Sequence, residues 1–140
     1  MGFETLDNIV TYEFANNFKL GVYERLRASA EASRDHKFRS PLQDAASGVA
    51  ANLAEGFGRN NPGEFAQFIR YALGSLKEAE ARLQDGIDRG YFTEPDCRTT
   101  LQWAHRCRAA GRGLHRSQVE LARKNREAKS AKPRAKKKGA

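Results

Sequence analysis

The chain has 140 residues, of which 39% are apolar and 30% are charged, a composition typical of one folded globular domain. Its apolar runs are interrupted every few residues, which excludes a membrane-spanning helix, and its first residues lack the basic and apolar regions of a secretory signal. Two cysteines, Cys97 and Cys107, are too few for a disulfide framework. We therefore expect a cytoplasmic protein of bacterial type that does not contact a membrane.

The net charge of +8 is concentrated near one end of the chain. Residues 123–138 include nine basic residues and one acid, Glu127, whereas the first 122 residues hold sixteen of each sign. A segment with so much charge and almost no apolar side chain cannot offset its ordering entropy. The sequence therefore predicts a folded domain over residues 1–126 and a disordered Lys/Arg-rich tail over residues 127–140.

Four segments show the helical spacing of three to four residues between apolar positions, and none alternates with the period of a strand. The first runs from about residue 7 to residue 33, with Phe14, Phe18, Val22 and Leu26 on one face. The second opens with Ser40-Pro41, an N-cap followed by a proline in the first turn, and ends at the glycines 56 and 58.

The third segment opens with Asn61-Pro62 and ends at Gly90, and the fourth runs from Thr93 to about Arg126. Short connections favour antiparallel neighbours, so the sequence predicts an all-α fold, an antiparallel up-down-up-down four-helix bundle.

The second segment is rich in small residues, including Gly48, which indicates close packing against a neighbouring helix. A surface that contacts a ligand is the alternative.

Metal and catalytic sites are not predicted. Cys97, His105, Cys107 and His115 share the fourth segment, but their spacing is not that of a zinc ribbon or finger. A helical wheel places Cys107 on the apolar face with Trp103 and Leu114, and both histidines opposite. The carboxylates of the third segment alternate with basic residues, as on a solvated helix face. We expect no enzymatic activity and no cofactor.

The fourth segment carries the clearest functional pattern, a basic stripe opposite the predicted apolar face. Arginine grips phosphate oxygens in bidentate fashion, and clustered cations displace counterions from nucleic acid. Two alternatives stay open: the stripe is a solvated face partnered by acids of neighbouring helices, and the tail serves solubility. The predicted contacts to RNA or DNA are Arg98, Arg108, Arg112, Arg116, Arg123, Lys124, Arg126, Lys129, Lys132, Arg134, Lys136, Lys137 and Lys138.

Residues 42–56, with the sequence LQDAASGVAANLAEG, resemble the signature of the four-helix-bundle proteins encoded in intervening sequences of 23S ribosomal RNA genes. Phe65, Phe68-Ile69 and residues 72–76 resemble the third helix of that family, and residues 90–92 the turn that follows. The likeness covers roughly residues 38–122. Relatives of this fold also act as accessory proteins to reverse transcriptases in diversity-generating retroelements.

The resemblance implies the bundle fold, assembly into homopentamers and a role with RNA or DNA, together with a protein partner in nucleic-acid processing. Asn52, Glu55 and Ser75 match the signature, and we interpret them as a structural polar network that hydrogen-bonds a neighbouring helix or subunit. The predicted function is a non-enzymatic, oligomeric nucleic-acid-binding protein. An oligomeric scaffold that binds an acidic protein partner is the alternative.

Overall fold

A computed structural model describes residues 5–6 and 9–131 of the chain. In this part the chain forms five helices and no strand, so the prediction of an all-α protein is confirmed. The helices are α1 (Val10–Ala28), α2 (Ala30–Arg34), α3 (His36–Gly58), α4 (Pro62–Asp88) and α5 (Glu94–Ala131). None of these five has the combination of length and apolar character needed to cross a lipid bilayer.

The first predicted helix is divided into two, because helical geometry is interrupted at Ser29. The Ser29 backbone is extended, with φ −114° and ψ 107°, and its hydroxyl oxygen accepts a hydrogen bond from the N–H of Ala32 at 3.1 Å. Serine at this position caps a new helix instead of continuing the old one. The predicted start at Asp7 lies outside the described residues.

The predicted start of the second helix at Ser40-Pro41 is wrong. Helix α3 begins at His36, and Asp35 is its N-cap, with a side chain that accepts from the N–H of Phe38 at 3.2 Å. Pro41 therefore lies inside the helix, where proline is unfavourable. Burial of Phe38 against Tyr91 and Phe92 stabilises the additional turn.

Helix α4 follows its prediction closely. Asn61 accepts a hydrogen bond from the N–H of Glu64 at 2.9 Å, and Pro62 occupies the first turn. The chain after α4 turns at Gly90, whose φ of 80° lies in the left-handed region that favours glycine.

Helix α5 extends beyond its predicted end at Arg126 and reaches Ala131. Residues 127–131 are thus helical, contrary to the predicted boundary of the tail, whereas residues 132–140 lie outside the described part of the chain. Two features account for the difference. The Arg123 side chain bonds both Glu120 and Glu127 along the helix, and no glycine or proline occurs between Gly113 and Pro133.

The four long helices contact one another in a closed order: α1 packs on α3 and α5, and α4 packs on α3 and α5. Their apolar faces form one core. A Cβ built on Gly48 of α3 would lie 3.1 Å from the Ser75 Oγ of α4, so the predicted close packing of the small-residue helix is confirmed. The large side chains of this core include Phe18, Val22, Leu42, Val49, Leu53, Phe65, Ile69, Leu76 and Leu83.

Candidate nucleic-acid interface

The buried face of α5 agrees only in part with the one that the apolar pattern predicts, since Cys107 and Leu114 are buried as expected but other positions differ. Trp103 is only half-buried, and the face that meets the other helices includes the polar residues Thr100 and Gln118 and the small Gly111. Close approach explains these residue types. A Cβ built on Gly111 would lie 2.9 Å from the Leu73 side chain of α4, and one built on Gly21 of α1 would lie 2.5 Å from the Thr100 hydroxyl oxygen.

Three arginines of the predicted stripe are exposed and unpaired. Arg98, Arg112 and Arg116 project from α5, and none of them forms an ion pair with an acid in the described ranges 5–6 and 9–131. Unpaired exposed guanidinium groups keep their donors available for phosphate oxygens. These three side chains fit the prediction of a phosphate-binding stripe.

Arg108 has a different environment. Its guanidinium forms an ion pair with Glu80 of α4, and both side chains are about one-quarter exposed, at 26% and 23%. Burial lowers the pKa of Arg108, and the charge of Arg112 lowers it further. For Arg108 the structure therefore matches the alternative interpretation, in which acids of a neighbouring helix pair with the basic face. Arg108 contributes to the contact between α4 and α5. Its role in binding nucleic acid stays a prediction that this pairing disfavours.

The last turns of α5 are exposed on all sides and strongly basic. Arg123 is held by Glu120 and Glu127, and its hydrogen bond and charge interaction with Glu120 raise its pKa. Lys124, Arg126 and Lys129 form no ion pair within residues 9–131. The remaining predicted contacts lie outside the described residues: Lys132, Arg134, Lys136, Lys137 and Lys138.

A groove runs between the first half of α4 and the second half of α5. Two adjoining depressions of about 380 and 320 Å³ form it, and they share Gly63, Ala122 and Arg126. We call it the α4/α5 groove. The other residues that line it are Asn61, Pro62, Ala66, Gln67, Arg70, His115, Val119, Asn125 and Lys129.

Among the residues that the structure describes, no aspartate or glutamate lines the α4/α5 groove, whereas Arg70, Arg126 and Lys129 do. The nearby acids are engaged elsewhere, since Glu64 lies 3.8 Å from Arg59 and Glu120 is paired with Arg123. Sequence reasoning missed Arg70 because it considered α5 alone. A signal was available in its position one helical turn after Ala66, on the flank of α4 that meets α5.

The predicted polar network of Asn52, Glu55 and Ser75 is not formed within the described part of the chain. The Asn52 amide donates to the Gly48 carbonyl of its own helix at 2.8 Å, and the exposed Glu55 pairs with Arg59 at 3.0 Å. No hydrogen bond joins the three side chains. The ion pair of Glu55 is therefore with its own helix and not with a neighbouring one.

The cysteines of α5 have the environment of core residues. Burial raises the pKa of Cys107 to about 12, and its thiol donates to the Thr11 carbonyl at 3.8 Å. Such a thiol is protonated at neutral pH and is a poor nucleophile.

His105 is exposed, and with Arg98 it lines a separate cleft of about 530 Å³ between the end of α4 and the start of α5.

Comparison with known proteins assigns the chain to a family. Residues 7–110 match the family described as 23S rRNA-intervening sequence protein. A search of the curated proteins finds no match. The matched region starts before α1 and stops at residue 110, so it includes Arg98 and Arg108 but excludes the second half of α5, which carries one side of the α4/α5 groove. Because the match covers most of its length, the chain belongs to the family of 23S rRNA-intervening sequence proteins.

Proposed function

We propose that this protein is a non-enzymatic, oligomeric, cytoplasmic protein that binds the backbone of RNA or DNA. The main support for this proposal is that the excess of basic residues lies at one end of the chain. Sixteen basic and sixteen acidic residues balance over the first 122 positions, and the whole excess follows them. Within the balanced part, Arg112 and Arg116 are exposed and unpaired among the described residues, so they extend the basic surface along α5. Such a distribution supplies the sequence-independent part of nucleic-acid affinity.

The proposed body is an antiparallel, up-down-up-down four-helix bundle that assembles with copies of itself. The closed order of contacts among α1, α3, α4 and α5 and the short connections support the bundle. Membership of the family suggests a pentamer and a partner in nucleic-acid processing.

A mobility-shift assay of the full chain against duplex DNA, single-stranded DNA and RNA over a series of salt concentrations tests the function. Binding that weakens linearly in log affinity against log salt, with a slope of about −0.7 to −0.9 for each phosphate that the protein neutralises, supports the proposal. Light scattering on the same samples should give a mass near a multiple of 15.6 kDa. A monomer at micromolar concentration contradicts the oligomer.

The absence of binding to all three probes at low salt contradicts the proposed function. The oligomeric scaffold for an acidic protein partner then becomes the better explanation, because the same basic surface attracts carboxylates. Pull-down with an acidic polypeptide such as polyglutamate, repeated at high salt, separates that explanation from simple solubilisation.

A further inference from the structure

The α4/α5 groove differs from an isolated helix face because it is concave. A helix face or a flexible segment presents charges to any polyanion, whereas a groove also selects the ligand by its width. From His115 to Lys129 the groove follows fifteen residues of α5, a length of about 21 Å. Arg70 contributes from α4, so the basic groups come from both walls.

The size of the groove fits one extended strand better than a double helix. Its two depressions, of about 380 and 320 Å³, each have the volume of a site for one small molecule. Depressions of this volume can hold single backbone groups or bases, which a single strand presents freely and a duplex keeps stacked and paired. Small residues at Gly63, Ala66 and Ala122 form much of the lining and leave space for a backbone between the basic side chains.

An aromatic side chain lies beside the groove. Gln67, which lines the groove, donates its amide N–H to the Tyr71 hydroxyl at 2.7 Å. The Tyr71 ring is held edge-on against Phe68, with centroids 5.5 Å apart, and the residue is nonetheless 49% exposed. Exposed aromatic rings next to basic grooves stack the bases of single-stranded nucleic acids, and paired bases in a duplex are not free to stack in this way.

We infer that the α4/α5 groove binds single-stranded nucleic acid, with phosphates at Arg70, Arg126 and Lys129 and a base stacked on Tyr71. The inference rests on the proposed function and names its ligand class. It also assigns a binding role to two residues of α4, Arg70 and Tyr71, which lie outside the basic helix and the basic C-terminal segment.

Fluorescence anisotropy of the full chain with labelled oligo(dT), and with a duplex of the same length, tests the inference. Arg70→Gln is expected to weaken oligo(dT) binding about tenfold and to flatten the salt slope by about 0.7. The matched control is Arg27→Gln, which removes the same charge from an exposed, unpaired position among the described residues of α1, away from the groove. It should change the affinity by less than about twofold.

Tyr71→Ala is expected to weaken oligo(dT) binding about tenfold with little effect on the duplex, and Tyr71→Phe should restore most of that affinity because the ring is kept. Circular dichroism checks that each variant stays helical. Equal effects of Arg70→Gln and Arg27→Gln, or tighter binding of the duplex that ignores Tyr71→Ala, overturn the inference and leave the proposed function standing. A wild-type chain that binds neither probe contradicts both.

Discussion

The hydroxyl of Tyr91 donates a hydrogen bond to the carboxylate of Asp35 at 2.6 Å, across fifty-six positions of sequence. Asp35 is also the N-cap of α3, and Arg89 lies 3.7 Å from the same carboxylate. One side chain therefore connects the turn before α5 with the break between α2 and α3. The hydrogen bond from Tyr91 is the largest cause that lowers the pKa of Asp35, and the same bond raises the pKa of Tyr91.

Replacing Tyr91 by phenylalanine should make the protein less sensitive to acid. A carboxyl group whose pKa is lowered by folding adds stability above its unfolded value of about 3.9, and that stability is lost as the pH falls through the folded value. The raised pKa of Tyr91 adds stability that is lost as the pH rises above about 10. Thermal melts of the variant should lose melting temperature at neutral pH and show a shallower decline towards pH 3.

Tyr23→Phe is the control for this change, since the Tyr23 hydroxyl makes no hydrogen bond in the described part of the chain. Its melting profile should follow that of the wild type over the whole pH range. Identical profiles for both variants would show that the bond between Tyr91 and Asp35 contributes nothing to stability.

Two glycines of α4 should respond in opposite directions to the same substitution. A Cβ at Gly86 would overlap the Phe92 ring and lie 2.7 Å from the Phe38 ring, whereas one at Gly74 would meet nothing within 4 Å. Gly86→Ala should therefore lower the free energy of unfolding by about 1–3 kcal/mol through overpacking. Gly74→Ala should raise it by up to about 1 kcal/mol, because glycine is unfavourable inside a helix.

Urea denaturation followed by circular dichroism measures both changes. If Gly86→Ala proves as stable as the wild type, the two rings must have room to move, and the close approach of the α4 end to the following turn would be disproved.

The ion pair between Arg108 and Glu80 should be worth more than an exposed one. A double-mutant cycle with glutamine at both positions should give a coupling of about 1 kcal/mol or more, because the pair is largely shielded from solvent. The exposed pair of Arg82 and Glu78, separated by 3.8 Å on one helix, should give less than about 0.5 kcal/mol. Equal couplings would show that burial does not strengthen the first pair.

Removing residues 132–140 should weaken nucleic-acid binding, and circular dichroism checks that the shortened protein stays folded. The deleted segment holds five basic residues and no acid, so the net charge falls from +8 to +3. The slope of log affinity against log salt should flatten by about 0.7–0.9 for each phosphate that the shortened chain no longer neutralises, and avidity in an oligomer would enlarge the effect. Unchanged affinity and slope would assign this segment to solubility.

The helical period was enough to predict where burial occurs in α3 and α4, because their inward positions are apolar, as at Leu53 and Leu76. In α5 it succeeded only in part: Cys107 and Leu114 are buried as predicted, but polar Thr100 and Gln118 are also buried and Trp103 is half-buried. Which positions of α5 are buried depends on how closely α1 and α4 approach it. The start of α3 was ambiguous because Asp35 and Ser40 are both good N-caps, and only the burial of Phe38 decides between them.

The candidate site was predictable only in part. The spacing on one helix identified Arg112 and Arg116 as exposed cations, and the structure places them so. The spacing on one helix cannot show that Arg108 forms an ion pair with Glu80, or that Arg70 and Arg126 line the same groove. Both contacts depend on how α4 and α5 are placed relative to each other.

Helix α5 is much longer than the helix it follows. With 38 residues it measures about 57 Å, against about 40 Å for the 27 residues of α4, and the two helices are joined by a short turn at one end. A Cβ built on Gly63, near the start of α4, would lie 3.9 Å from the Ala122 Cβ, so the nine residues of α5 after Ala122 overhang this point by about 14 Å. In a cyclic assembly whose symmetry axis runs along α5, rotation about that axis would bring all of these overhanging ends to the same side. The basic ends of α5 would then form a ring on one face of the oligomer, and the opposite face would carry none of them.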